Sequence, residues 1–220
     1  MEKYTKEIKK VISNNWKAIL LFICVIAFLM LAFNVFDQKI ISADIAGHNI
    51  IQTEFKSDIS TQIAKFITNF GGASYLIIIT IFLFFIIKNK KIGSAIVANL
   101  VIQSILNLVL KNILKRPRPV GYNLINETGF SFPSGHSMAS MAFYGFLIYL
   151  IYKNIKNKYL KWSLIIFLGT LIVAIGASRI YLGVHYTSDV LAGFLISIAY
   201  LILYTSIVSK LIYTKEENNE

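Results

Sequence analysis

Long uncharged apolar runs alternate with short clusters of charge along this chain. A helix that crosses a bilayer needs about 20 mostly apolar residues. Residues 18–36 form one such run, with no charge inside it. A second covers 75–87 and extends back through Gly71 and Gly72 towards Ile63. Others cover 92–110, 138–152 starting near Ser134, 162–177, and 190–212 starting near His185. The pattern predicts an all-α polytopic membrane protein with six transmembrane helices, as a single domain over residues 1–220. What remains suffices for loops and not for a separate soluble domain. The segment 37–61 is long for a loop. Its Ile41, Ile45, Ile50 and Ile51, mixed with Asp44, His48 and Asn49, predict a short amphipathic helix in the outer interface. His48 has no evident partner there and reads as a surface histidine. The first run is too long for the core of a cleaved signal, and Asn34-Val35-Phe36 makes a poor cleavage site. It is expected to be a retained helix.

Composition sharpens this picture. Of the 220 residues, 56% are hydrophobic and only 15% charged, against roughly 25% charged in soluble domains. The formal net charge of +11 raises nucleic acid as a partner. The position of the charge removes that reading. In a six-span topology, 14 of the 22 basic residues flank spans on one side: the amino-terminal tail, Lys88 to Lys91, Lys153 to Lys161, Lys210 and Lys215. The positive-inside bias makes that side cytoplasmic and puts both termini there. Trp16 and Trp162 fit anchors at the same interface. The single Cys24 excludes an internal disulfide and a cysteine-based metal site. In its apolar run it reads as a buried free thiol.

Five basic residues on the outer side run against the bias: Lys111, Lys115, Arg116, Arg118 and Arg179. Charge at that depth is costly without a partner. Asp189 is the one nearby carboxylate in the same stretches, so the excess calls for an anion. Arginine forks and a lysine point charge suit phosphate. Pro133-Ser134-Gly135 opens a helix, whose free N–H groups favour phosphate oxygens. Ser134 adds a hydroxyl, and Gly135 allows close backbone approach. His185 and Asp189 are four apart and could share a helix face. The aspartate could then hold one imidazole nitrogen and leave the other to attack. His136 remains for proton transfer. These residues could also ligate zinc, but the surrounding cations oppose it, so no metal or other cofactor is expected.

These stretches resemble the three signature motifs of the type 2 phosphatidic acid phosphatase superfamily, which also contains vanadium haloperoxidases. The first matches Lys111 through Arg118 and Pro119, the second Pro133 to His136, and the third Ser178, Arg179, His185 and Asp189. The resemblance implies a bacterial membrane lipid phosphatase. It implies that His185 attacks phosphorus, that Asp189 orients it, and that His136 protonates the leaving oxygen. It assigns Lys111, Arg118, Ser134, Gly135 and Arg179 to the phosphate. Phosphatidylglycerophosphate, phosphatidate and undecaprenyl diphosphate become candidate substrates, hydrolysed at the outer face of the cytoplasmic membrane. Bilayer lipids are then the expected partners, with no obligate protein partner. Transfer of the phosphoryl group to another acceptor, vanadate chemistry, and a non-enzymatic lipid-phosphate binder or transporter are the competing readings.

Several residues around the motifs stay open. Lys115 and Arg116 could touch a second phosphate or lipid headgroups, or form a solvated run. Tyr181 and Tyr186 could rim a lipid entrance or anchor at the interface. Residues 120–131 could form a lid or an ordinary loop. Asn99, Gln103, Asn107 and Lys111 recur every four residues, which predicts one polar face turned into the bundle.

Overall fold

The structure, a computed structural model, describes residues 2–36, 40–54, 56–121 and 123–213. The side chains of residues 1–13, with Lys3, Lys6, Lys9 and Lys10 of the basic tail, and of His48 lie outside what is described, as do Lys39, Tyr122 and Lys215. Among the described residues the chain is all-helical. The helices are α1 (Glu2–Phe36), α2 (Ser42–Glu54), α3 (Asp58–Asn69), α4 (Ala73–Ile86), α5 (Lys90–Leu114), α6 (Gly135–Asn154), α7 (Lys158–Tyr181) and α8 (Thr187–Tyr213). Four of them start on a Ser or Asn whose side chain accepts a first-turn N–H: Ser57, Asn89, Ser134 and Asn157.

Four helices are long and apolar enough to cross a membrane: α1 over Asn14–Phe36, α5, α7 and α8. The pair α3 and α4 makes a fifth if counted as one span bent by 47°. The bend falls at Gly71 and Gly72, inside the expected second run. The expected six spans are therefore four to five by length and apolarity. The difference is α6, which was expected to cross from about residue 138. Its amino-terminal half carries Ser137 and Ser140, both buried in the protein, and its flanks are covered by α5, α7 and α8. A helix screened from lipid by protein does not need a uniformly apolar surface.

α6 is the centre of the bundle. Its Phe143, Phe146 and Leu150 meet Ile96 of α5, Ile175 of α7 and Tyr204 of α8. Packing in such a bundle rests on close fit and interhelical hydrogen bonds, since lipid is as apolar as the core. A Cβ on Gly193 would lie 3.0 Å from the Ser134 carbonyl, so glycine lets α8 press against the start of α6. Ser197 donates to the Met138 carbonyl at 3.1 Å, and Tyr144 to the Phe70 carbonyl at 2.8 Å. α1 lies against α8 through a stripe of Cys24, Phe28, Ala32 and Val35. Cys24 is thus a buried free thiol.

The outward faces are apolar. Phe22 and Phe33 of α1, Phe82 and Phe85 of α4, Leu108 of α5 and Phe167 of α7 are all exposed. A soluble monomer rarely presents so broad an apolar surface, whereas lipid covers it at no cost. The protein is a multi-pass membrane protein. α5 and α7 run towards the end of the bundle where α6 and α8 begin, so the three charged stretches meet there.

Candidate active site

At that end a cavity of about 210 Å³ is walled by Lys111, Arg118, Glu127, Gly135, His136 and His185, with the loop 128–130. Lys111 comes from the last turn of α5. Lys115 follows it as the helix cap, in the left-handed conformation at φ 47°. That turn sends 116–119 back over the bundle and carries Arg118 to the cavity. Gly135 opens α6 against α5. A Cβ there would lie 3.1 Å from the Asn107 amide oxygen and 3.8 Å from the Lys111 side chain. His136 sits beside the α3–α4 break, where Cβ atoms at Gly71 and Gly72 would meet its ring at 3.2 and 3.7 Å.

His185 precedes α8 rather than lying within it, and Asp189 is in the first turn. The pair forms across the helix entry, with Nδ1 3.4 Å from Asp189 Oδ2. On the other side of the ring, Nε2 lies 3.1 Å from Arg118 Nη1. A guanidinium can only donate, so Nε2 is the acceptor and the Nδ1 proton faces Asp189. Burial holds the His185 imidazole down at about 4, and the Arg179 and Arg118 charges add to this against Asp189. It is therefore neutral at physiological pH.

Asp189 is completely buried and held from several sides. It accepts from Tyr186 N at 2.8 Å, from Arg116 Nη1 at 2.6 Å and from the Ser131 hydroxyl. Ser131 Oγ also lies 3.3 Å from His185 Nδ1. Arg116 reaches onward to Asp44 of α2 at 2.8 Å, and Asp44 in turn accepts from Ser188 N at 2.8 Å. The Arg116 guanidinium stacks 4.0 Å from the centre of the Tyr186 ring. Buried charges this closely paired satisfy one another's desolvation.

Arg179 is 1% exposed. It donates to Thr68 Oγ1 at 2.7 Å and to Glu127 Oε1 at 2.5 Å, while its Nε has no partner. Arg118 donates to the Gly129, Thr128 and Val184 carbonyls at 3.1, 2.9 and 2.9 Å. Burial works upward on the Glu127 carboxyl, but its hydrogen bond to Arg179 and the charges of Arg179 and Arg118 hold it below the usual carboxylate range.

The structure thus gathers Lys111, Arg118, Gly135, His136 and His185 around one cavity, with Asp189 and Arg179 directly behind. Other expected residues lie elsewhere. Ser134 is fully buried, and its hydroxyl caps α6, accepting from the Ser137 hydroxyl at 2.9 Å. Arg116 is not at a rim; it is buried behind Asp189, because two carboxylates pull it inward. Tyr181 is likewise buried and joins α7 to α3, its hydroxyl 3.0 Å from Thr61 Oγ1. Lys115 is exposed at the helix end. Tyr186 does line a cavity, of about 350 Å³, on the α2 side of His185. Of the polar face on α5, Asn107 donates to the Pro133 carbonyl at 3.3 Å, whereas the buried Asn99 amide has no partner.

Sequence reasoning missed Asp44, Ser131 and Thr68. An acid on an otherwise isoleucine-rich face was a usable hint for Asp44. A lone loop serine and a helix threonine carry no comparable signal. Among the described residues, no three His, Cys, Asp or Glu side chains form a group able to hold a metal ion.

Helices here screen a cationic cavity that holds a His–Asp pair, a setting suited to phosphoryl chemistry at a membrane. Residues 92–213 match the PAP2 superfamily, and the chain belongs to it. It is 33% identical over 175 residues to phosphatidylglycerophosphatase B of Bacillus subtilis, covering 76% of this chain and 84% of that one. It is 31% identical over 140 residues to an undecaprenyl-diphosphatase of Sulfolobus acidocaldarius, covering 60% and 62%. Its fold is similar to the crystal structure of a transmembrane PAP2 type phosphatidylglycerolphosphate phosphatase from Bacillus subtilis. That likeness has a TM-score of 0.76 at 28% identity and covers 89% of this chain and 98% of that one.

Proposed function

We propose that the protein hydrolyses lipid phosphate monoesters or diphosphates through a phosphohistidine on His185. One observation carries the reading: Asp189 faces Nδ1 of His185, while Nε2 meets Arg118 at the cavity. As Arg118 turns from Nε2 to the phosphoryl oxygens, the freed Nε2 lone pair forms the N–P bond and the P–O bond to the lipid breaks. The bound phosphate offsets the surrounding cations and lets His136 hold a proton, which it gives to the leaving oxygen. It then takes a proton from the water that attacks phosphorus, and the N–P bond breaks as inorganic phosphate forms. Lys111, Arg118 and Arg179 neutralise the phosphoryl oxygens, with the start of α6 beside them. Ser134 contributes through the α6 cap.

The likeness to the Bacillus relative favours phosphatidylglycerophosphate, with phosphatidate and undecaprenyl diphosphate as further candidates. The exposed apolar belt supports substrates that arrive from the bilayer, headgroup first. In this reading α6 is a sixth, protein-shielded span and α2 lies at the outer interface. Both termini face the cytoplasm, and the single domain works at the outer face of a bacterial cytoplasmic membrane.

The test is His185→Ala in detergent micelles. Phosphate release from all three lipids should vanish, with the thermal unfolding profile retained. Wild type quenched in alkali, where the N–P bond survives, should carry label from a radioactive lipid phosphate, and the variant none. Near-normal release by the variant overturns the assignment.

A further inference from the structure

The loop 127–130 supplies acceptors to the two cations that line the cavity and to Arg179 behind it. Lys111 Nζ donates to the Phe130 carbonyl. Arg118 donates to the Gly129 and Thr128 carbonyls at 3.1 and 2.9 Å, and Arg179 to Glu127 Oε1 at 2.5 Å. Three of these acceptors are neutral carbonyls. Glu127 brings a full negative charge. Its second oxygen lies 3.8 Å from Arg118 Nη2, so one carboxylate bridges the two arginines. A phosphoryl group held by both would take the same place.

Arg179 shows where an oxyanion belongs. Its Nη1 is taken by Thr68 and its Nη2 by Glu127, while the buried Nε has no partner. A guanidinium grips phosphate through two parallel N–H groups. Nε and Nη2 form such an edge, and Glu127 takes only one half of it. A phosphate on that edge satisfies the orphan Nε and needs the group that Glu127 holds.

We propose that Glu127 is a tethered competitor for the phosphate site: its carboxylate exchanges with a phosphoryl dianion on Arg118 and Arg179, and its return speeds the departure of inorganic phosphate. The proposal rests on the phosphatase reading above. It gives the loop 127–130 a part in turnover beyond covering the site. Product stays in the cavity longer when the competing charge is gone, because all three cations then act on phosphate alone.

The test compares the full-length wild type with Glu127→Gln in detergent micelles. Inhibition constants for inorganic phosphate and for orthovanadate are measured against hydrolysis of dioctanoyl phosphatidate. Loss of a competing charge-assisted contact should tighten both by about tenfold or more, with kcat and KM falling together. Unchanged constants overturn the proposal. Weaker inhibition also overturns it, since a carboxylate that merely holds Arg179 in place would have that effect. Glu127→Asp shortens the reach by one methylene and should shift the constants the same way, which covers a glutamine variant that fails to fold. A wild type that neither hydrolyses the lipid nor binds vanadate defeats the phosphatase reading itself. Active, inhibitable wild type with an indifferent variant defeats only the exchange.

Discussion

Ser131 touches both members of the His185–Asp189 pair, to which the proposed mechanism gives the chemistry. Its hydroxyl donates to Asp189 and lies 3.3 Å from His185 Nδ1. It meets neither the cavity nor a reacting atom, so it acts as a positioning residue. Ser131→Ala should lower kcat by roughly 10- to 100-fold, the effect of one hydrogen bond to a charged group. KM should stay near wild type, while the melting temperature falls modestly, because buried Asp189 loses one of its donors and keeps Tyr186 N and Arg116. A KM effect without a kcat effect would speak against positioning. His185 makes a second prediction at this scale. Its imidazole is held at about 4 against an ordinary 6.5. Between those values the unfolded chain binds the proton and the folded chain does not. Stability is therefore fully present above pH 6.5 and falls as pH drops towards 4. An NMR titration of labelled histidine, with His136→Gln to simplify the spectrum, should show one imidazole titrating near that low value. A titration near 6.5 would contradict the buried, cation-flanked environment.

Helices supply what single residues cannot. α2 sends Asp44 inward, and the chain Asp44–Arg116–Asp189 ties this peripheral helix to the His185–Asp189 pair. The amphipathic pattern made α2 legible as a helix and set Asp44 among isoleucines, a hint of burial; it did not reveal the partner that Asp44 meets. An unpaired charge favours the surface, and a partner 72 residues away reverses that. The α6–α8 contact makes the fourth prediction. The ideal Cβ at Gly193 already sits 3.0 Å from the Ser134 carbonyl and from Ser137 Cβ. Gly193→Leu should separate the helices that carry His136 and Asp189. Overpacking of this kind costs about 1–3 kcal/mol. A clear drop in melting temperature together with lost activity is expected. A variant with wild-type stability and rate would show that α8 does not press on α6 as described.

For the whole molecule, topology is the open and testable quantity. Cys24 is buried and is the chain's one cysteine, so the wild type is a nearly silent background for labelling. Cysteines placed at Val120 and at Lys156 should react with a membrane-impermeant maleimide from opposite sides: Val120 from outside intact cells, Lys156 only after permeabilisation. Labelling of both from the same side would refute the six-span orientation. The motif spacing brought Lys111, Arg118, His136 and His185 into consideration together. The bundle gathers them because helices alternate direction across a bilayer of fixed thickness. The same alternation made α6 hard to judge. In the proposed six-span topology its ends meet loops on opposite sides, while its composition answers to protein neighbours rather than to lipid.

The sequence by itself determined the apolar runs, their polarity and the phosphate-seeking residue types. Those follow from the length of a lipid-crossing helix and from the chemistry of Lys, Arg, His and Asp, which are local properties. Tertiary structure alone decided which charges face the cavity and which are sealed behind it. Arg116 and Arg118 are two residues apart and equally basic, yet one is clamped between Asp44 and Asp189 and the other meets His185. The cause is desolvation: a buried charge survives only where a partner from a distant segment comes within hydrogen-bonding reach. Such partners are set by how the helices pack, and no local pattern encodes them.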